Sequence, residues 1–159
     1  MSPIREVISN KRIDINPIWI MRQAGRYLPE FRKIRKSNPD FIKLCLNSEL
    51  SSEITLQPIK RFDLDAAIIF SDILIVPFAL GQDINFNKKK GPILSKFDIK
   101  DFTKLKENKF SIILNPVYKA LEQTRKKLDK RKALIGFVGA PWTLAVYMLG
   151  LKSDNIINI

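Results

Sequence analysis

The 159-residue sequence predicts an α/β fold with parallel strands, and three observations carry that expectation. Short apolar runs at residues 17–21, 66–70 and 133–138 have the length and composition of buried strands. Helical periodicity fills the stretches between them, so the order reads strand, helices, strand, hairpin, helix, strand, helix. Each run also ends in a polar or glycine-containing turn, and in parallel α/β folds ligands gather at those carboxyl ends of the strands.

Taken in order, residues 1–16 read as irregular. Residues 17–21, Pro-Ile-Trp-Ile-Met, are the first expected strand and run into the polar turn Arg22-Gln23-Ala24-Gly25-Arg26. Pro29 suits the first turn of a helix reaching about residue 36. Ser37-Asn38-Pro39-Asp40 is a turn, with Asp40 the expected N-cap of the next helix. Ile42, Leu46, Leu50 and Ile54 recur every four residues and predict one amphipathic helix ending before Pro58.

The run at 66–70 reads as a strand covered on both faces, ending at Ser71 and Asp72. Pro77 makes the apolar stretch 73–80 a short helix or a loop, and residues 83–94 read as an exposed hairpin with a solvated tip at Lys88, Lys89 and Lys90. Residues 97–110 are polar and ambiguous. Leu114, Val117, Tyr118 and Leu121 have helical spacing, and the helix runs out through Arg125, Lys126 and Lys127, whose charges suit the negative end of its dipole. The third strand, 133–138, turns at Gly139-Ala140-Pro141 into a last helix over 142–149.

Composition narrows the function. At 45% hydrophobic and 28% charged the chain is globular, and its length suits about one domain. Its 28 basic and 16 acidic residues leave a charge of +12. A solvated lysine surface is the plain reading of that excess, with nucleic acid or a small polyanion as the functional ones. No apolar run approaches the ~18 residues of a membrane span, and Arg5 interrupts any secretory signal at the start. Cys45 is the sole cysteine and histidine is absent. An internal disulfide, a zinc site of the usual kind, and Cys-His or Ser-His-Asp catalysis from these residues are thereby excluded, and a reducing compartment is favoured. Neither a Walker-type loop nor GxGxxG is present.

Three clusters could carry chemistry. Arg22-Gln23-Ala24-Gly25-Arg26-Tyr27 offers fork donors to carboxylates or phosphates, with Gly25 permitting a close backbone approach; a plain surface turn is the competing reading. Asp72 ends an apolar strand, where its charge would act strongly on a cation or an N–H donor; it would equally serve as an N-cap. The stretch from Gly136 to Thr143, with Tyr147 one helical turn beyond, could pass close to a ligand, although a core tyrosine is the commoner outcome. Glu49 and Glu53 read as a solvated face, Asp63 and Asp65 as loop or cap residues, and Cys45 as buried and inert.

Residues 17–30, Pro-Ile-Trp-Ile-Met-Arg-Gln-Ala-Gly-Arg-Tyr-Leu-Pro-Glu, closely resemble the first motif of the uroporphyrinogen decarboxylases, and residues 136–143, Gly-Phe-Val-Gly-Ala-Pro-Trp-Thr, resemble the second. Residues 64–74 are similar to the strand that bears the family's key aspartate, and residues 40–58 also read like the family, so the resemblance covers about residues 3–150. It implies a cytoplasmic enzyme of haem biosynthesis on a TIM (β/α)8 barrel. Such an enzyme removes the four acetate carboxyl groups of uroporphyrinogen III to give coproporphyrinogen III, with no metal or organic cofactor. It implies a homodimer at full length, with neither nucleic acid nor a membrane span among its partners. By the same resemblance Arg22, Gln23, Ala24, Gly25 and Arg26 form the substrate-binding loop, and Tyr147 contacts substrate. Asp72 receives the pyrrole N–H groups and stabilises the cationic intermediate, and Arg22 or Arg26 positions a carboxylate or donates the proton.

The sequence departs from the family at its other end. A barrel of this kind needs about 250 residues, and only about three core strands are found here. The family's later strands, a hydroxyl residue and a histidine have no counterpart, and residues 151–159 do not follow it. The expectation is therefore that residues 1–159 are the N-terminal portion of a single barrel domain, with little activity alone. A cobalamin-type methyltransferase on a related barrel is the runner-up, against which the 22–27 loop argues. A basic nucleic-acid-binding module is third, and no aromatic-basic stripe supports it.

Overall fold

The computed structural model describes residues 2–11, 14, 16–87, 91–97, 100 and 107–151. In chain order the elements begin with α1 (Pro3–Ile8), α2 (Pro29–Ser37), α3 (Phe41–Cys45), α4 (Ser48–Arg61), β1 (Ala66–Ile68) and α5 (Ile75–Ala79). They continue with β2 (Ile84–Asn87), β3 (Gly91–Leu94), α6 (Glu107–Lys127), β4 (Ala133–Ile135) and α7 (Pro141–Leu149). The chain clusters into two compact units, residues 1–71 with 116–137 and residues 72–115 with 138–159.

The first unit is organised on β1, whose three residues are all buried. It pairs in parallel with β4, Ala66 opposite Ala133, Ala67 opposite Leu134 and Ile68 opposite Ile135. Ala133 N–H donates to Asp65 O and Ile69 N–H to Ile135 O, continuing the pairing past both ends of β1. Helix α4 lies against β1. Leu56, Ala67 and Leu128 make one core cluster there, and Leu28, Phe31, Leu44 and Ile54 make another. The Phe70 ring meets those of Phe31 and Phe41 edge-on, at 5.7 and 5.9 Å between centroids. Each such large side chain stabilises the fold by about 1.5–3 kcal/mol on burial.

Several expectations need correction. Residues 17–21 do not form a strand: Ile18, Ile20 and Met21 are 60%, 56% and 71% exposed. The segment touches the approach to β1 at one place, where Asp65 N–H donates to Ile18 O at 2.8 Å and Ile18 N–H donates to Asp65 Oδ2 at 2.7 Å. A single point of pairing does not make a ladder, so two parallel strands stand among the described residues rather than three. The third expected run stops being strand at Ile135, and Phe137 and Val138 are exposed. Residues 3–8, expected to be irregular, are helical, with Pro3 where its missing N–H costs nothing.

The helix predicted from Ile42 to Ile54 is two helices. Asp40 caps α3 as expected, through Lys43 N–H at 3.0 Å. Asn47 then interrupts the periodicity, because its Oδ1 accepts from Leu50 N–H at 3.0 Å and starts α4 afresh. Helix α4 does not stop before Pro58 but runs through it to Arg61. Pro58 is fully buried, and its packing outweighs one missing backbone bond. Helix α6 forms where predicted, yet its buried stripe is Leu114, Ala120 and Thr124, with Leu128 just beyond its end, and Tyr118 faces solvent. The charges at its end act directly: the Arg125 guanidinium donates to the carbonyls of Leu128, Asp129 and Lys132 at 2.8, 2.8 and 3.0 Å.

In the second unit β2 and β3 form the expected antiparallel hairpin, with Ile84 opposite Leu94 and Phe86 opposite Pro92. The lysines at 88–90 lie outside the described residues, as do most of 97–106. Gln82 Nε2 donates to Ser95 O at 2.6 Å and to Met148 O at 2.9 Å, which ties the base of the hairpin to the end of α7. Gly150 closes α7 at φ +62°, a left-handed conformation that suits glycine. No described helix is long and apolar enough to cross a membrane.

Thr55 is fully buried on α4. Its Oγ1 donates to Ser51 O at 2.7 Å and accepts from Phe70 N–H at 2.8 Å. Thr55→Val keeps the shape but leaves the Phe70 N–H unpaired, so unfolding in urea is expected to show a loss of about 1–3 kcal/mol.

Candidate functional site

In the loop after residue 21, four backbone carbonyls accept hydrogen bonds from within the protein. Gln23 O accepts from the Tyr27 hydroxyl in a short hydrogen bond. Gly25 O accepts from Leu28 N–H at 3.0 Å. Arg32, from the first turn of α2, donates Nη1 to Arg26 O at 2.9 Å and to Tyr27 O at 3.0 Å. The N–H groups of Ala24, Gly25 and Arg26 have no protein acceptor among the described residues, and the Arg22 and Arg26 side chains are exposed. Four of the loop's carbonyls thus accept hydrogen bonds from within the protein while three successive N–H groups donate none to it, a polarity suited to an anion.

Gln23 behaves differently from its neighbours. It is 1% exposed, and its amide is engaged within the protein: Nε2 donates to Ala66 O at 3.0 Å and Oε1 accepts from Ile20 N–H at 3.2 Å. Gly25 is not demanded by crowding within the chain, since an added Cβ would meet only the Tyr27 ring at 3.8 Å.

Beside the loop, Glu30 and Arg61 form a two-pronged pair at 2.7 and 3.0 Å. Tyr27 stacks on Phe62 with ring centroids 6.5 Å apart. The hydrogen bond from Arg61 holds the Glu30 carboxyl below its ordinary value. Burial holds the Tyr27 phenol above its own, partly offset by the Arg61 charge. Sequence reasoning did not single out Arg32, Arg61 or the role of Tyr27. Arg61 is 31 positions from Glu30, and no local spacing announces such a pair.

The remaining candidates fall in the second unit. Asp72 is half-buried, and its Oδ1 accepts from Leu74 N–H at 2.8 Å while its carbonyl accepts from Ile75 N–H at 3.3 Å. It does not cap α5, whose N-cap is Leu74 with no side-chain cap bond, but closes a turn just before that helix, and the turn orients its carboxylate. Tyr147 on α7 is exposed rather than a core residue, as is Thr143 one turn earlier. Gly139 has a steric reason: an added Cβ would lie 2.6 Å from Leu144 Cδ2 and 3.2 Å from Ile73 Cβ. Elsewhere Cys45 is buried, Glu49 and Glu53 are exposed, Asp63 pairs with Lys132 at 2.8 Å, and Asp65 holds Ile18.

The fold is shared with a solved methyltransferase from Methanosarcina mazei at a TM-score of 0.64, covering 92% of this chain and 44% of that one. At 16% identity that likeness is one of fold alone. Over residues 1–159 the sequence matches the uroporphyrinogen decarboxylase (URO-D) family, and the chain belongs to that family. It is 49% identical over 146 residues to the uroporphyrinogen decarboxylase of Agrobacterium fabrum and 47% identical over 146 residues to that of Brucella ovis. Each match covers 92% of this chain but only 42% and 43% of the relative, so the chain spans less than half the length of the curated relatives it matches.

The Glu30 pair has a testable pH dependence. A carboxyl lowered in the folded state adds stability that is present above its unfolded value and is lost as pH falls through the folded value. Arg61→Met is expected to return Glu30 upward towards its ordinary 4.5, read by carboxyl NMR titration, and to flatten stability over that acid range.

Proposed function

We propose that these residues serve the decarboxylation of the acetate side chains of uroporphyrinogen, as the first portion of a (β/α)8 barrel. The observation that carries this reading is the polarity of the loop at 22–28. Its carbonyls at Gln23, Gly25, Arg26 and Tyr27 are occupied by Tyr27, Leu28 and Arg32, while the N–H groups of Ala24, Gly25 and Arg26 and two exposed arginines are left to a ligand. Carboxylates fit such a donor set, and guanidinium forks bind them in two-pronged fashion. A polycarboxylate substrate also accounts for part of the +12 charge. The exposed Ile18, Ile20 and Met21 support the barrel, because a parallel α/β barrel covers both faces of its sheet and would bury side chains that now meet water.

The chemistry is set by the substrate. Protonation at the ring carbon next to the acetate-bearing carbon turns the pyrrole into a cation. The bond to the carboxyl group then breaks, CO2 leaves, and its electron pair flows into the ring to form an exocyclic methylene. A proton added at that methylene gives the methyl group, and the ring proton is returned. The pyrrole is its own electron sink. In this reading Asp72 lies opposite the N–H groups and stabilises the cation more than the neutral ring, which lowers the barrier. Arg22 and Arg26, with the N–H groups from Ala24 to Arg26, hold carboxylates, and Tyr147 offers a further contact.

A chimera tests this: residues of this chain replace the matching 146 residues of the Agrobacterium fabrum enzyme. It is expected to convert uroporphyrinogen to coproporphyrinogen, and a folded but inactive chimera would overturn the reading. Asp72→Asn in the active chimera is expected to lower kcat by roughly 100- to 1000-fold, the range for losing one preorganised electrostatic partner, while substrate binding survives in part. Turnover near that of the parent chimera would remove Asp72 from the role.

A further inference from the structure

We infer that Gln23 is a positioning residue, whose side chain fastens the anion loop to the edge of β1 and does not itself touch substrate. The inference rests on the reading of the 22–28 loop as a carboxylate site, and it separates Gln23 from the residues around it. Arg22 and Arg26 are exposed, whereas Gln23 is 1% exposed. Both ends of its amide are committed, Nε2 to Ala66 O at 3.0 Å and Oε1 to Ile20 N–H at 3.2 Å. Its main chain is committed too, with N–H donating to Ile20 O at 3.1 Å and O accepting from the Tyr27 hydroxyl. A ligand would have to break these bonds and open the core to reach the side chain.

The reason for the arrangement lies in β1. The strand is buried at every position, and β4 pairs with one of its edges. The Ala66 carbonyl would be left without a partner away from water, which buried backbone groups rarely tolerate. Gln23 supplies the donor that a neighbouring strand would supply. Asp65, the adjoining residue, takes Ile18 N–H at 2.7 Å, so residues 18–23 are fastened at two adjacent points. The loop beyond them starts from a fixed origin and is ordered before a ligand arrives, which spares the binding step that cost.

Amide hydrogen exchange on the full 159-residue chain tests this, together with the affinity for uroporphyrin, a stable polycarboxylate probe. Gln23→Met keeps the length and removes both hydrogen bonds. Without ligand, protection at Ile20, at position 23 and at Leu28 is expected to fall by about tenfold, as for one lost hydrogen bond, while α4 and the β1–β4 pair keep theirs. Uroporphyrin binding is expected to weaken alongside. Gln23→Glu is the second variant: it retains the acceptor for Ile20 N–H and loses the donor to Ala66 O, so its loss of protection and affinity falls between the parent and Gln23→Met. Weakened binding with unchanged loop protection in Gln23→Met would show direct contact and overturn the inference. Loss of protection throughout the first unit in both variants would overturn it as well, because the role would then be fold-wide. If the parent chain fails to bind uroporphyrin while the loop loosens as expected, the carboxylate reading falls and the positioning role stands.

Discussion

The structure of the first unit depends on satisfying the backbone around one short buried strand. Residues 66–69 are buried, so their N–H and carbonyl groups must find partners inside the protein. Strand β4 covers one edge. On and beyond its other edge, side chains of the 22–28 loop and of α4 supply further partners. Gln23 takes the carbonyl of Ala66, Thr55 takes the N–H of Phe70, and the Ser51 hydroxyl donates to the Phe70 carbonyl at 2.5 Å. This places polar residues in the middle of α4, where Ser51 and Thr55 are buried, and explains why that helix is not a simple apolar stripe.

The same constraint prepares the site. A loop anchored at its start by Gln23 and braced by Tyr27 and Arg32 has the carbonyls of Gln23, Arg26 and Tyr27 engaged within the protein, which favours an anion as the ligand of the proposed site. The positive charge of the chain is correspondingly of several kinds. Arg125 caps the end of α6, and Arg35 donates to Asn38 O in a short bond and lies 5.5 Å over the Phe41 ring. Arg61 is committed to Glu30. Arg22 and Arg26 are the exposed arginines of the loop, the part of the +12 that the proposed carboxylate site would use.

Much of the architecture was legible where a local rule governed it. Asp40 as a cap, the helix begun by Pro29, the hairpin over 84–94 and the apolar run at 66–68 all arise from side-chain chemistry within a few residues. Local rules failed where neighbours decided. Periodicity ran through Asn47 because a four-residue repeat does not register a side chain that caps. Pro58 read as a terminator because its packing in the core was invisible. Residues 17–21 carry a strand's composition, but strand is a property of pairs, and only Ile18 has a backbone partner near β1.

By itself the sequence determined the family, through the runs at 17–30, 64–74 and 136–143, and it determined which residue types stand at the site. These are matters of identity and order along the chain. Only the tertiary structure decided which of them are buried and bonded and which are open to solvent. Gln23 and Arg22 are adjacent in the chain and equally polar, yet one is sealed against Ala66 and the other faces solvent. The difference comes from an orphan carbonyl 43 positions away, a demand created by burial that no local pattern records.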